Sequence, residues 1–291
     1  MPEPRPGEVR VQVRAASING FDISVANSRL KGMMEHRFPV VVGKDFAGTI
    51  DALGDGVAGF SIGERVFGVV IKDVLGDGSF GEYVTVPTSM GIARIPEGVD
   101  FTEAAALGLA GTAAADSFDA AGISEGSTVL IAGATGGVGQ QALQLAVNAG
   151  AHAVATAHAR EEVAKVRDLG AASTVDYTGD VSTQVRELHP EGVDAVLHFA
   201  GDPVALSSAV KPGGVLVSTL VMDPHQLPVA GIRVVPIYAN PTTATLQRVA
   251  RNHAEGHTTV TVQRIYNLDE APDALGHFAA GTLGKLVISI D

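Results

Sequence analysis

Cysteine is absent from all 291 residues of the chain. That excludes a disulfide framework, a thiolate-bound zinc or iron–sulfur site and every thiol nucleophile, while leaving the redox compartment open. Basic residues are scarce, 20 Lys and Arg against 32 Asp and Glu for a net charge of -12. Nucleic acid is therefore not expected as a partner, because phosphate contacts need clustered Lys and Arg. Long hydrophobic runs are missing as well. The best candidate, residues 142–157, is broken by Gln144, Asn148, Gly150 and His152, too short and too polar to span a bilayer, so no membrane is expected. The opening Met1-Pro2-Glu3-Pro4-Arg5-Pro6 has no apolar core of a signal peptide, which makes a cytoplasmic protein the expectation. No G-x-S-x-G elbow for a hydrolase occurs, and neither Tyr83 nor Tyr177 has a lysine four positions on, as a short-chain reductase would need.

What is present is apolar content of 46% in a chain long enough for two domains. Residues 8–14 alternate strictly between polar and apolar, the mark of a strand with one wet face. Short apolar runs follow at 40–42, 47–50, 65–70 and 82–86, with Leu53-Gly54-Asp55-Gly56 and Leu75-Gly76-Asp77-Gly78 as expected turns, so this part predicts a small β-barrel. From Thr102 the texture becomes an Ala-rich helix and then strict alternation. Strands are expected at 128–132, 153–156, 174–177, 195–199 and 215–220, with helices at 138–148, 161–169, 181–188 and 204–210 between them. Apolar strands alternating with helices predict an α/β fold, a doubly wound parallel Rossmann sheet. An edge strand at 233–237, a helix at 243–254 and a closing strand, helix and strand at 262–266, 271–278 and 285–290 complete the pattern. The expected division is a discontinuous β-rich substrate domain, residues 1–105 and 250–291, around a dinucleotide-binding domain of residues 106–249.

Val129-Leu130-Ile131-Ala132-Gly133-Ala134-Thr135-Gly136-Gly137-Val138-Gly139 runs from strand through glycine turn into helix. A dinucleotide's diphosphate needs this arrangement: bare backbone at Gly136 allows close approach, Gly139 lets helix and strand pack, and the helix N-terminus offers free N–H groups. Ala134 occupies the first glycine place of the pattern. The second strand ends in Thr156-Ala157-His158-Ala159-Arg160, without the carboxylate that usually binds the ribose 2′-hydroxyl of NAD. His158, Arg160 or Lys165 could pair with a 2′-phosphate instead, so NADP is the expected cofactor.

Several segments together resemble the zinc-independent quinone oxidoreductase branch of the medium-chain dehydrogenase/reductases. They are Ala15-Ala16-Ser17-Ile18-Asn19-Gly20-Phe21-Asp22, Gly43-Lys44-Asp45-Phe46-Ala47-Gly48, Gly63-Glu64-Arg65-Val66-Phe67-Gly68, Gly81-Glu82-Tyr83-Val84 and Glu103-Ala104-Ala105-Ala106-Leu107. Ala110-Gly111-Thr112-Ala113-Ala114, the glycine loop, Lys211-Pro212-Gly213-Gly214 and Gly284-Lys285-Leu286-Val287 continue the series in order. The resemblance implies that the β-rich domain is GroES-like. Zinc-dependent relatives carry a cysteine where this chain has Asn19 and a His-Glu pair where it has Lys44-Asp45, so no metal is expected.

What such a site can reduce is an electron-poor acceptor, a quinone or an α,β-unsaturated carbonyl. The resemblance makes Asn19 the leading candidate to donate to a developing oxyanion, with Asp22, Lys44 and Asp45 as a polar network around it. It places Thr112 towards the nicotinamide, Tyr177 towards the adenosine phosphate, and Ala134, Thr135, Gly136, Gly137, Val138, Gly139 and Ala200 on the cofactor. Ile23-Ser24-Val25 stands where some quinone reductases have a tyrosine, so no proton donor is obvious. Relatives also generally begin with an extra strand or hairpin before the Pro-Gly-Glu-Val segment. Two other readings stay open, an NADPH-binding protein without turnover and an enoyl-thioester reductase, though no basic run for a carrier's phosphate is present. His253 and His257 share a helical metal spacing but lack a third ligand, and Gly256 between them is expected to end the helix. The strand at 233–237 reads as an unpaired edge that a two-fold partner could extend, so a homodimer is expected.

Overall fold

The computed structural model describes residues 1–227 and 229–290. They form two compact units, one of Met1–Thr112, Pro241–Gly256 and Val260 onward, the other of Ala113–Asn240 and His257–Thr259. The boundaries fall at 112/113 and 240/241, against 105/106 and 249/250 expected.

The first unit starts with β1 (Glu8–Ser17), whose alternation buries Val9, Val11 and Val13. It continues through α1 (Gly20–Ala26), β2 (Glu35–Val41), β3 (Asp45–Leu53), β4 (Arg65–Val69), β5 (Val74–Asp77), β6 (Tyr83–Pro87) and β7 (Ile92–Arg94) into α2 (Phe101–Ala121). β1 pairs antiparallel with both β3 and β6, and β4 joins β3 to β7. The expected turn at 75–78 is instead mostly β5, which pairs in parallel with β2. Its Gly-Asp-Gly signal was local, whereas the pairing partner lies some forty residues upstream. α1 and β7 had no counterpart in the sequence expectation.

The second unit alternates β8 (Thr128–Ala132), α3 (Gly137–Asn148), β9 (His152–Thr156), α4 (Arg160–Asp168), β10 (Ser173–Val175), α5 (Val181–Leu188), β11 (Val193–His198), α6 (Pro203–Ser207), β12 (Val210–Ser218) and β13 (Arg233–Pro236). All six strands are parallel, in the order β10-β9-β8-β11-β12-β13. The strands are buried on both faces: Val129, Ile131 and Leu197 pack with Leu143 on one side, Leu130, Val196 and Leu216 with Val185 on the other. This is a Rossmann sheet, and its order reverses between β8 and β11, where such folds place their ligand crevice at the carboxyl ends of the strands. α6 is shorter than expected: Asp202 caps it by accepting from Val204 and Ala205 N–H, and β12 already starts at Val210. Lys211-Pro212-Gly213-Gly214 therefore lies inside an irregular strand start, where the register against β11 shifts.

The chain then returns to the first unit with α7 (Thr243–Ala254), β14 (Val262–Asn267), α8 (Ala271–Ala280) and β15 (Lys285–Ser289). β15 pairs antiparallel with β1 and parallel with β14, which completes a seven-stranded sheet. α7 belongs here because Gly111 leaves room for Val249, whose methyl would lie 2.5 Å from a Cβ at that position. Between α7 and β14, Thr259 exchanges hydrogen bonds with Gln144 in the second unit's α3, at 2.7 and 2.9 Å, which ties residues 257–259 to that unit. No described helix is long and apolar enough to cross a membrane.

Candidate functional site

The polar centre of the first unit forms where β1 ends. Asn19 is the N-cap of α1, and Asp22, three residues on, accepts from the Asn19 backbone N–H at 2.9 Å. The other Asp22 oxygen, Oδ1, is buried with no partner among the described residues. Burial pushes the Asp22 carboxyl up to about 7; the Asn19 N–H opposes this and the neighbouring Asp45 adds to it.

Asp45 opens β3 and is completely buried. Its Oδ2 accepts from the Ser17 hydroxyl at 2.6 Å, the Asn19 amide at 2.8 Å and Lys285 Nζ at 3.5 Å, and its Oδ1 accepts from Leu109 N–H at 2.7 Å. That carboxylate thus ties β1, α1, α2 and β15 to β3. Gly108 leaves room for it: a Cβ there would meet Asp45 Oδ1 at 2.6 Å.

Lys285 is a functional candidate that the sequence reading passed over. Its side chain is 3% exposed, and Nζ donates to Ile18 C=O and Asn19 Oδ1, both at 2.8 Å. Burial lowers its pKa, with Asp45 and Asp22 pulling the other way. The available signal was a lysine opening an otherwise apolar strand, which normally has its charge in water. These contacts also fix the Asn19 amide. Oδ1 faces the ammonium, and Nδ2 donates to Asp45 and, at 3.3 Å, to Ser17 C=O. Both amide hydrogens are engaged, so Asn19 as it stands has none to offer an oxyanion.

Lys44 stands beside this network, only partly buried. Its Nζ donates to Val70 C=O at 2.5 Å and lies 4.8 Å from the centre of the Phe21 ring, while its own C=O accepts from Val70 N–H at 2.7 Å. Burial lowers its pKa against the opposing pull of Asp22 and Asp45. Thr112 is buried and its hydroxyl donates back along α2 to Gly108 C=O at 2.8 Å. The donor set does not fit zinc: an ammonium cannot ligate it, and the Asn19 amide is spent. Among the described residues no group of three or more His, Asp or Glu could hold a metal ion. His253 is turned inward instead, 3.8 Å from Glu103.

In the second unit the glycine loop leaves β8 and enters α3, whose N-cap is Gly136 with no side chain capping it. The first-turn N–H groups of Gly137, Val138 and Gly139 are thus presented without a competing protein acceptor. A Cβ on Gly136 would meet nothing nearer than Gly133 C=O at 3.6 Å, so the approach is open, whereas one on Gly139 would lie 2.1 Å from the same oxygen. Ala134 is fully buried beneath the turn, and Thr135 C=O accepts from the Gln140 amide at 2.8 Å. Ala200 follows β11 and packs on Gly133, its Cβ 3.0 Å from where a Gly133 Cβ would be. These residues fit a diphosphate at the switch point.

The end of β9 is less bare of carboxylates than its sequence implies. Glu162, one turn into α4, accepts from His158 and Ala159 N–H at 2.7 and 3.1 Å and from the Tyr177 hydroxyl at 3.1 Å. Asp176 accepts from His158 Nδ1 at 3.0 Å and from Thr178 N–H and hydroxyl at 2.8 and 2.7 Å, and the Thr178 bonds chiefly hold its pKa down at about 2. Both acids are engaged by protein donors, while Arg160 is exposed at the start of α4. At the end of β11, His198 is buried between the Ser218 hydroxyl at 2.8 Å and Gly201 C=O at 3.1 Å. The carbonyl fixes the proton on Nε2, and burial lowers the pKa, so the ring is a neutral brace for the loop that carries Ala200.

Residues 5–97 match the family model described as the alcohol dehydrogenase GroES-like domain, and residues 137–240 match the one described as zinc-binding dehydrogenase. The chain is 28% identical to the chloroplast envelope quinone oxidoreductase homolog of Arabidopsis thaliana, over 99% of this chain and 91% of that protein. It is 31% identical to the 2-methylene-furan-3-one reductase of Solanum lycopersicum over 75% of this chain, spanning 56% of that relative. The solved quinone oxidoreductase from Coxiella burnetii superposes with a TM-score of 0.90 at 26% identity, covering 100% of this chain and 93% of that one.

Proposed function

Because the chain belongs to the medium-chain dehydrogenase/reductase superfamily as a quinone oxidoreductase-like member, we propose that it transfers hydride from NADPH to a quinone or an α,β-unsaturated carbonyl, without a metal. The uncapped N-terminus of α3 beside the open face of Gly136 carries this reading. Bound reduced nicotinamide would supply the hydride. The chain's own N–H groups at 137–139 would hold the diphosphate, with Ala134, Thr135 and Ala200 shaping the pocket around it. Arg160, His158 and Tyr177 would receive the 2′-phosphate: the nearby acids already have donors, and the arginine is unspent. Lys44 and the Asn19–Asp45–Lys285 network, with Asp22 beneath it, would supply the positive field in which an acceptor oxygen gains charge. Thr112 would support the nicotinamide end. Quinone acceptors are supported by the names of two relatives and enones by that of the third. A homodimer built on the outer edge of β13, the last strand of its sheet, is part of the same reading.

The test is calorimetric titration with NADPH and NADH, followed by loss of reduced-nicotinamide absorbance against a panel of quinones and enones. The expected result is tighter binding of NADPH and turnover of at least one acceptor class. Tight binding with no turnover of any acceptor would favour a cofactor-binding protein, and no binding of either nucleotide would remove the reading altogether.

A further inference from the structure

We propose that Lys44 is the proton donor of this reaction, its ammonium protonating the oxygen of an acceptor that enters the first unit's cleft beside Phe21, Val42 and Val70. The proposal rests on the quinone or enone reductase reading above. It answers a need of that chemistry. When hydride adds to an enone's β-carbon, the carbonyl π pair moves onto oxygen, and that oxygen needs a proton; a quinone's reduction leaves a phenolate with the same need.

Four observations converge on Lys44. It lines a cleft of ≈ 30 Å³, which has room for one oxygen-sized group. Its ammonium is pinned twice to Val70, through main chain and side chain, so its position does not depend on a bound ligand. Of its three N–H bonds only the one to Val70 C=O has a partner among the described residues, leaving two for an incoming oxygen. The face of Phe21 lies against the cation and keeps one side of it apolar. The other buried ammonium, Lys285, has no such freedom, because Ile18, Asn19 and Asp45 surround it. In the step, the Lys44 N–H bond breaks, an O–H bond forms on the acceptor, and the neutral amine is reprotonated from water at its partly exposed side.

The charged groups around Lys44 are Asp22 on α1, Asp45 on β3 and Lys285 on β15, and Lys72 and Asp77 on the far wall of the cleft. Desolvation outweighs the two nearer carboxylates, so the ammonium is a stronger acid than an ordinary lysine. Turnover that needs the charged form is lost as pH rises through the Lys44 pKa, in a range below that of exposed lysines.

The experiment measures kcat against pH for the full chain with NADPH and two acceptors, 1,4-naphthoquinone and methyl vinyl ketone, for wild type, Lys44→Met and Lys44→Arg. The expected result is an alkaline limb in the wild type, a loss of about 100-fold or more in Lys44→Met with that limb gone, and an intermediate kcat without the limb in Lys44→Arg. NADPH affinity is expected to stay within about two-fold, since separates binding from a step made only in the transition state. A second readout needs no turnover: after reductive ¹³C-methylation of the cofactor-free protein, the Lys44 signal should titrate below those of the exposed lysines. That signal is assigned as the one missing in Lys44→Arg. Wild-type turnover with Lys44→Met unimpaired, or a Lys44 midpoint among the exposed lysines, would overturn the assignment alone. Wild-type binding of NADPH with no acceptor reduced would overturn the reductase reading and this inference together.

Discussion

Asp45 and Lys285 are 240 residues apart in the chain and 3.5 Å apart in the fold, both out of water. Removing one charge from such a pair leaves the other buried and uncompensated, at a cost of about 3–5 kcal/mol. Lys285→Met should therefore lower the thermal midpoint sharply, since it also strips Asn19 Oδ1 of its donor; a melting curve superimposable on wild type would contradict the network's role. Asp22 makes a prediction of opposite sense. Its carboxyl binds a proton more tightly in the folded state, up to about 7, than in the unfolded state, where 3.8 applies. Stability from this group is fully present below the unfolded value and is lost as pH rises towards 7, an effect of up to about 4 kcal/mol. Asp22→Asn should flatten stability between pH 4 and about 7 and make the protein more stable than wild type above it, as denaturant melts at both ends would read. Asn19, Asp22, Lys44 and Asp45 were visible in two short motifs because those motifs resemble known ones. Lys285 was not, because a single charge at a strand start carries no sign that its strand is central. Nor could sequence show that Asn19 spends both its hydrogens within the network, since that depends on three elements meeting.

At the scale of elements, the β8–α3 junction separates two tasks usually confounded. A methyl on Gly139 would lie 2.1 Å from Gly133 C=O, so Gly139→Ala must push α3 off β8. It should cost about 1–3 kcal/mol of stability and cofactor affinity with it. A methyl on Gly136 enters open space, 3.6 Å from the same oxygen. Gly136→Ala should leave the melting temperature unchanged while weakening NADPH at least about tenfold, one lost close contact in the arithmetic of. Calorimetric titration of both variants beside their melting curves checks the split, and equal behaviour would refute it. The parallel strands were readable because each is a short apolar run buried on both faces. β5 was not: Gly76-Asp77-Gly78 has turn chemistry, and only pairing with β2 makes a strand of it. α1 was missed because seven residues give too few turns for a periodic signal.

For the whole molecule, the division into two units followed from the change of texture near residue 102, although α7 lies with the first unit rather than where its sequence position suggested. The net charge of -12 leaves the chain well able to stay in solution as separate copies, so self-association has to come from a specific surface. β13 ends its sheet with its outer edge unpaired among the described residues. Sedimentation equilibrium should find a dimer, and a single monomeric species at micromolar concentration would refute that assembly. Saturating NADPH, at about one hundred times its Kd, should add about 2.7 kcal/mol to unfolding. β15 sits directly beside β1 and brings the ammonium that completes the Asp45 centre. During translation the earliest strand therefore waits for one of the last to leave the ribosome. The second unit, made from one continuous stretch apart from three residues, can fold in the meantime, and a nascent chain stalled before residue 284 would carry a finished nucleotide fold beside an unfinished reductase core.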